Sequence, residues 1–230
     1  MTNSPAAIPR YAVYYAPPPA HALWHAGCDW LQRDPSSDEA RRPSRAHVGE
    51  PWRYGFHATL KAPLRLAPGC SEAGLRDAVA QLAQRTPRFV MPALSVQWLA
   101  HFLALQPLVP LPATHPLHRL ADACVTELDA WRAEPTADEL QRRLATPLSE
   151  EQRALLQRHG YPHVLGHWRF HMTLTDGLPP DPTLRDELQQ ASQHHFAAAL
   201  RQPLECDTLS VFVEPAAGQP FRLLHRYPLA

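Results

Sequence analysis

Two short segments of the sequence share a pattern of residues that could carry out proton transfer. Residues 57–60 are His-Ala-Thr-Leu and residues 171–174 are His-Met-Thr-Leu, and the pattern H-x-T occurs nowhere else in the chain. The two histidines are 114 residues apart in a chain of 230 residues, so each lies near the middle of its own half. This spacing is typical of an internal duplication, although a motif match by itself is a hypothesis.

The alternation of side chains along a strand indicates what would surround each histidine. Residues two apart in a strand share a face, so His57 lies on the same face as Thr59, and His171 on the same face as Thr173. The same alternation adds three basic side chains to these faces: Arg53, Lys61 and Arg169. We therefore expect a cleft with two imidazoles, two hydroxyls and two or three fixed cations, a combination that suits a phosphoryl group.

Paired histidines suit the cleavage of a phosphodiester. One neutral imidazole removes a proton from the attacking water or hydroxyl, and one imidazolium donates a proton to the leaving oxygen. An unperturbed histidine, with a pKa of about 6.5, can do either near neutral pH. Threonine hydroxyls can hold the phosphoryl oxygens as charge develops. The scheme predicts no metal and no cofactor, and it leaves open which histidine is the acid.

Simpler explanations exist for each of these residues. The two histidines could be structural, and a cation on an exposed strand face is commonly only solvated. Tyr15, in a predicted first strand, is a candidate for the wall of the cleft, with packing in the core as the alternative. Four histidines spaced four apart raise the alternative of a zinc site: His159, His163, His167 and His171. Gly160, Pro162 and Gly166 interrupt the helix that such a site would need, so we do not predict one.

The elements that must position the motifs are a mixture of strands and helices. Strands are predicted over 10–16, 52–63, 89–96, 99–105, 168–175, 206–214 and 221–227. Helices are predicted over 20–32, 71–85, 116–131, from 136, over 149–160 and over 181–200. The polar segment 33–51 is predicted to be a long mobile loop, with a lid over the cleft as one possible role. The lack of a regular alternation of strand and helix predicts the α+β class.

Composition limits the classes of protein to be considered. Hydrophobic residues make up 45% and charged residues 19% of the chain, which excludes an intrinsically disordered protein. The 22 Lys and Arg balance 22 Asp and Glu, which argues against a protein that coats extended nucleic acid. There is no apolar run long enough to cross a membrane, no signal-peptide pattern and no C-x-x-C pair. We expect a soluble, cytoplasmic protein with reduced cysteines, whose oligomeric state the sequence does not determine.

Several longer segments resemble a known superfamily. The pair of H-x-T-x strands at half-chain spacing resembles the 2H phosphoesterases, which include RNA 2′,3′-cyclic phosphodiesterases. More narrowly, RYGFHATLKAPL (53–64) and WRFHMTL (168–174) resemble a bacterial branch named for phosphonate metabolism, and the opening RYAVYYAPP and the closing VFVEPAAGQPFRLL are similar to that branch as well. The resemblance implies one bilobal domain over 1–230, with pseudo-repeat halves of roughly 1–115 and 116–230. It also implies two antiparallel-rich sheets that flank a central cleft, with helices outside and a catalytic set of His57, Thr59, His171 and Thr173.

Together these observations lead to one functional hypothesis and two alternatives. The hypothesis is a metal-independent cyclic phosphodiesterase that acts on a small phosphorylated sugar or nucleotide cyclic phosphate, linked to phosphonate metabolism. The first alternative is a non-catalytic protein that binds phosphorylated metabolites. The second is an enzyme that processes RNA 2′,3′-cyclic ends, for which strong and salt-sensitive RNA binding is expected.

Overall fold

A computed structural model describes residues 8–37 and 41–230 of the chain. The strands are β1 (Arg10–Tyr15), β2 (Ala58–Leu64), β3 (Phe89–Val90), β4 (Leu94–Leu99), β5 (Phe102–Pro107), β6 (Met172–Thr173), β7 (Glu205–Cys206), β8 (Thr208–Glu214) and β9 (Arg222–Pro228). The α-helices are α1 (Ala22–Leu31), α2 (Gly49–Tyr54), α3 (Glu72–Gln84), α4 (Pro116–Glu127), α5 (Ala137–Leu144), α6 (Glu150–His159) and α7 (Pro182–Phe196). Helices combined with antiparallel strands confirm the predicted α+β class.

Seven strands form one antiparallel sheet in the order β4-β5-β6-β2-β1-β8-β9, while β3 and β7 pair separately. The large sheet has two blocks, β4-β5-β6 and β2-β1-β8-β9, and a single residue pair between Ala58 and Met172 joins them. The two antiparallel sheets predicted from the sequence are therefore two blocks of one sheet. Each block takes strands from both halves of the chain, since β6 lies beside β5 and β8 lies beside β1.

The two faces of the sheet are packed differently. On one face, Val13 and Tyr15 of β1 belong to the main hydrophobic core, which also contains residues of α1, α3, α4 and α7. On the other face, Tyr14 belongs to a small aromatic cluster with Phe212 and Phe221. Because burial of apolar surface is the main source of stability, the helical face supplies most of it. The opposite face is left for a functional site.

Local capping signals set the ends of the helices near the site. Ser149 and Gln152 form the predicted capping box at the start of α6, which ends at Gly160 with a φ of 71°. Thr136 and Glu139 form the predicted capping box at the start of α5. Each box satisfies backbone N–H groups that a helix end leaves without partners. These two helices begin where the sequence predicts.

The segment 52–63, predicted as one strand, is the end of helix α2 followed by β2. The cause is a cap from a distant part of the chain: the Asp176 carboxylate accepts hydrogen bonds from the backbone N–H groups of Gly49 and Glu50, at 3.0 and 2.6 Å. A carboxylate at a helix N-terminus bonds the free N–H groups and stabilises the helix dipole. The predicted strand over 168–175 is also shorter, because only Met172–Thr173 pairs in the sheet.

The described parts of the predicted loop over 33–51 are bound to the rest of the protein. Arg33 is buried and donates to the carbonyl oxygens of Trp52 and Arg53, at 2.7 and 3.1 Å, at the end of α2. The side-chain oxygen of Gln32 accepts a hydrogen bond from the backbone N–H of Ser44 at 2.7 Å. Residues 38–40, in the middle of this predicted loop, lie outside the described residues.

Two further sequence predictions concern the lack of a membrane-spanning apolar run and the reduced state of the cysteines. Within residues 8–37 and 41–230, no helix is both long and apolar enough to cross a membrane. The four cysteines are unpaired, and Cys124 and Cys206 are buried. Burial raises the pKa of the Cys124 thiol to about 12, so this thiol stays protonated and acts as a small apolar side chain.

Candidate active site

The pairing of β2 with β6 brings the two H-x-T motifs together. Their middle residues lie across from each other in an antiparallel register, so His57 lies across from Thr173 and Thr59 from His171. Thr59 also lies across from Tyr14, which places the four motif side chains on the sheet face opposite to the main hydrophobic core. Directly opposite residues of antiparallel strands are about 4.5–5.5 Å apart and diagonal ones about 7–8 Å apart. One small group can therefore contact all four side chains.

His57 is held on three sides. Its Nδ1 lies 2.8 Å from the carbonyl oxygen of Gly55, which can only accept, so Nδ1 carries the proton. Its Nε2 lies 3.2 Å from the Thr59 hydroxyl and accepts a hydrogen bond from it. The imidazole stacks on the Tyr14 ring with centroids 3.7 Å apart. Gly55 has a φ of 79°, a conformation that favours glycine, so the turn before the motif helps to set the His57 tautomer.

His171 repeats the same local bond. Its Nδ1 lies 2.9 Å from the carbonyl oxygen of Arg169, two residues earlier, and donates to it. The aromatic ring beside it is Phe102 of β5, with centroids 6.0 Å apart. Within the described chain, its Nε2 has no hydrogen-bond partner. Both imidazoles therefore share one tautomer and direct an unprotonated Nε2 toward the same space.

Burial sets the protonation of both histidines. Burial lowers the pKa of His57 to about 4, and the neighbouring His171 adds to this effect. Burial also lowers the pKa of His171 below its usual value, with a further contribution from His163. Both rings are therefore neutral at neutral pH in the free protein, and each presents a lone pair that can accept a proton.

Two indoles fix the backbone of the motifs. Trp168, in the segment before the second motif, donates its Nε1–H to the carbonyl oxygen of Thr59 in the first motif at 2.8 Å. Trp30 of α1 donates its Nε1–H to the carbonyl oxygen of Leu174 at 2.8 Å. The block junction is thus held by a side-chain bond as well as by its one residue pair. A buried hydrogen bond of this kind contributes about 1 kcal/mol.

Lys61 was predicted to share the face of His57, and this prediction is wrong. Tyr14 lies across from Thr59, but the next residue of β1, Val13, lies across from Lys61, so β2 carries a bulge between the two pairs. A bulge inserts one residue and reverses the alternation of faces beyond it. The Lys61 ammonium is buried on the helical side and donates to the Val125 carbonyl oxygen at 2.8 Å and to Asp129 at 3.1 Å.

Tyr15 does not line the cleft either. It is fully buried on the helical face and its hydroxyl donates to the Glu205 carbonyl oxygen at 3.2 Å. The tyrosine of the site is instead its neighbour Tyr14, which stacks on His57. Tyr54 also lies near His57, with 6.3 Å between the centroids of the two rings. Alternation within β1 separates Tyr14 from Tyr15, but the sequence does not say which face of β1 adjoins the motif.

The two predicted arginines have different surroundings. Arg53 lies on helix α2, not on a strand, and it forms an ion pair with Glu214, which also pairs with Arg10. The Arg169 side chain is exposed, and its backbone carbonyl is what positions His171. Arg53 therefore does not follow the strand alternation on which its prediction rested. Arg169 does follow it, because Trp168 and Phe170 on either side are buried in the main core while Arg169 is exposed.

A basic cavity that the sequence analysis missed opens beside the first motif. It has a volume of about 300 Å³, and Tyr54 forms part of its wall. Six arginines line it: Arg10, Arg53, Arg65, Arg132, Arg142 and Arg143. They come from five separate parts of the chain, so the only local signal in the sequence is the Arg142–Arg143 pair on α5.

The histidines spaced four apart do not converge on one site in the structure. His159, at the end of α6, is buried near Asp129, with its Nδ1 3.8 Å from the carboxylate. His167 lies 2.9 Å from the carboxylate of Glu151. Across the described ranges, no group of three or more His, Cys, Asp or Glu side chains is arranged to hold a metal ion. The fourth histidine of the series, His171, belongs to the motif pair.

Two curated proteins are similar to this chain over nearly all of its length. The protein named ribose 1,5-bisphosphate phosphokinase PhnN from Janthinobacterium sp. (strain Marseille) is 38% identical over 233 residues, covering 96% of this chain and 51% of its own length. The protein of the same name from Laribacter hongkongensis (strain HLHK9) is 40% identical over 223 residues, covering 93% of this chain and 50% of its own length. The chain thus spans about half the length of these curated relatives.

Among solved structures, E. coli LigT in complex with 3′-AMP has 14% sequence identity and a TM-score of 0.48, covering 97% of this chain and 99% of that chain. Residues 59–222 match a family model described as "Protein of unknown function (DUF1045)". That match covers well over half of the chain and includes both motif threonines and His171. The chain therefore belongs to the DUF1045 family.

Proposed function

We propose that the protein is a phosphodiesterase that opens a small cyclic phosphate, or cleaves a related diester, by general acid–base catalysis. The observation that carries this proposal is the antiparallel pairing of the two H-x-T motifs. Both imidazoles are held through Nδ1 by a carbonyl and turn Nε2 toward one space. This arrangement supports a single phosphoryl group between two proton-transfer groups, within reach of two hydroxyls.

The geometry supports a division of roles. His57, with a pKa of about 4, is unprotonated over the neutral range and acts as the base. It removes a proton from water, whose oxygen then bonds to phosphorus. The bond from phosphorus to the leaving oxygen breaks, and the imidazolium of His171 gives its proton to that oxygen. When substrate binds, the Thr59 hydroxyl turns its hydrogen bond from His57 Nε2 to a non-bridging oxygen, which frees the Nε2 lone pair, and the Thr173 hydroxyl donates to a non-bridging oxygen as well.

The acid must gain its proton when substrate binds. A phosphodiester carries a negative charge, and an anion beside an imidazole favours the charged form. The anion therefore opposes the desolvation that lowers the pKa of His171 in the free protein. In this scheme substrate binding itself prepares the acid. After the reaction His171 is neutral again and His57 holds one extra proton, and release of that proton to water restores the free protein.

The substrate is best described as a phosphorylated sugar. The names of the two relatives point to a phosphorylated ribose. Because this chain covers only about half of each relative, the kinase activity in those names describes a protein about twice as long. This chain has no G-x-x-x-x-G-K-[ST] phosphate loop, and its single lysine is buried. We therefore assign diester cleavage to these residues. The link to phosphonate metabolism, the duplicated halves and the cytoplasmic location stay predictions.

The test is turnover of a panel of cyclic phosphates in the presence of EDTA. The panel contains pentose 1,2-cyclic phosphates, nucleoside 2′,3′-cyclic phosphates and an oligonucleotide with a 2′,3′-cyclic end. We expect His57→Ala and His171→Ala each to lower kcat by about 10²–10⁴. His194→Ala, an exposed histidine on α7, serves as the matched control and should keep the wild-type rate.

Three results would contradict the proposal. Wild-type rates in both motif variants would remove the histidines from the reaction. Thermal stabilisation by the panel without any product would indicate a protein that only binds phosphorylated metabolites. Turnover confined to the oligonucleotide, with binding that weakens steeply as salt rises, would indicate an enzyme of RNA ends.

A further inference from the structure

The charges around the basic cavity do not balance. Two of its six arginines, Arg10 and Arg53, share the single carboxylate of Glu214. Arg65 pairs with Glu139 at 3.0 Å. Arg132 pairs with Asp129 at 3.0 Å, and the same carboxylate also serves Lys61. Among the residues that the structure describes, Arg142 and Arg143 have no carboxylate within ion-pair distance. Six cations are thus matched by three carboxylates, one of which is shared with a further cation.

Arg143 is held in the cavity wall without an ion pair. Its guanidinium lies 5.1 Å from the centroid of the Tyr161 ring, and its Nη1 donates to the Gly160 carbonyl oxygen. These contacts fix the plane of the guanidinium, while Nε and Nη2 have no protein partner within the described residues. A guanidinium positioned in this way presents two parallel N–H groups, which match two oxygens of a phosphate. Unpaired cations within a concave wall attract anions strongly.

The cavity adjoins the proposed catalytic histidines. Tyr54 belongs to the cavity wall and also lies beside His57, with ring centroids 6.3 Å apart. Tyr14 stacks on His57 and is fully buried. One aromatic ring therefore separates the basic cavity from the space between the motifs. The cavity and the motif histidines are therefore close enough for one small molecule to reach both.

We infer that the basic cavity binds a second phosphoryl group of the substrate, a phosphomonoester dianion remote from the diester that is cleaved. The inference rests on the proposed function and narrows its substrate to a small sugar with one phosphodiester and one phosphomonoester. A volume of about 300 Å³ suits such a group and part of its sugar. The convergence of cations in one cavity, rather than along an open surface, favours a small molecule over a nucleic-acid backbone.

The test compares two substrates that differ only in the remote group. They are a pentose 1,2-cyclic phosphate and the same compound with a 5-phosphomonoester. We expect the wild-type protein to prefer the second by roughly tenfold to hundredfold in kcat/KM, which corresponds to charge-assisted hydrogen bonds. Arg143→Gln should bring this ratio close to one. Arg153→Gln, an exposed arginine on α6 that does not line the cavity, should keep the wild-type ratio.

A second variant and a binding measurement keep the inference separate from the proposed function. Arg142→Gln alters an exposed side chain and should also lower the ratio, so a failure of Arg143→Gln to fold does not end the test. If neither substrate turns over, the proposed function fails, and calorimetric binding of ribose 5-phosphate then tests the cavity alone. We expect roughly tenfold weaker binding to the arginine variants.

Two outcomes would overturn the inference. If the wild-type protein cleaves both substrates equally and the arginine variants do the same, the proposed function stands and the second phosphoryl site does not exist. If inorganic phosphate binds through Arg143 but the 5-phosphomonoester changes neither kcat/KM nor affinity, the cavity holds a free anion and not part of the substrate.

Discussion

The two histidines of the candidate active site make the same local bond in different surroundings. His57 and His171 each donate through Nδ1 to the carbonyl two residues earlier. His57, however, stacks on Tyr14 and accepts a hydrogen bond from Thr59, whereas the Nε2 of His171 has no partner within the described chain. The shared backbone geometry sets the tautomer of both rings, while their surroundings set how readily each gains a proton. A repeated motif can thus supply two imidazoles that differ in how readily they gain a proton.

The largest expected effect comes from removing each ring and varying the leaving group. On linear phosphodiesters with an alkyl leaving group, His171→Ala should lower kcat by about 10²–10⁴. On the 4-nitrophenyl ester the kcat of His171→Ala should be close to the wild-type value, because a good leaving group needs no proton. His57→Ala should be equally impaired on both esters. The opposite pattern in the two variants would exchange the assigned roles of base and acid.

A smaller effect should be visible in the dependence of stability on pH. The folded-state pKa of His57 is about 4, below its unfolded value of about 6.5. The unfolded chain therefore binds more protons in this range, so stability is greatest above pH 6.5 and is lost as pH falls toward 4. Replacement by Gln removes this contribution.

Chemical denaturation at a series of pH values would measure this effect. The unfolding free energy of His57→Gln should fall less steeply between pH 6.5 and 4 than that of the wild-type protein. The exposed control His194→Gln should follow the wild-type curve. Parallel curves for His57→Gln and the wild-type protein would mean that His57 is not desolvated in solution.

The smallest effect concerns the helix that supports only the first histidine. Asp176→Ala removes the cap of α2, whose final turn leads to Gly55 and His57, and should lower stability by about 1 kcal/mol. Asp181→Ala removes the comparable cap of α7, away from the site, and should cost about the same. Turnover should fall only in Asp176→Ala. An equal fall in turnover in both variants would show that α2 has no special role in positioning His57.

Local patterns in the sequence were sufficient for the features that depend on neighbouring residues. The capping boxes of α5 and α6 and the helix end at Gly160 were predicted because their partners lie three or four residues apart. The two motifs were recognised because they repeat. The sequence predicted that the two motifs face one cleft, but it did not predict that they pair directly through β2 and β6.

Features that depend on distant residues were missed or misplaced. Alternation failed at Lys61 because a bulge is decided by the pairing of β2 with β1, which the sequence of β2 alone does not contain. Helix α2 was predicted as a strand because its cap, Asp176, lies 127 residues from Gly49. The basic cavity was missed because its arginines lie between residues 10 and 143 and meet only in the folded chain.

The bulge that moves Lys61 to the helical side also determines how its ammonium group reacts with acylating reagents. Lys61 is the only lysine in the sequence, and 4% of its side chain is exposed. The folded protein therefore offers such reagents no accessible lysine, and acylation of Lys61 requires α4 to separate from β2. The rate of that acylation therefore reports the separation of α4 from β2 beside the first motif, with no probe added to the site itself.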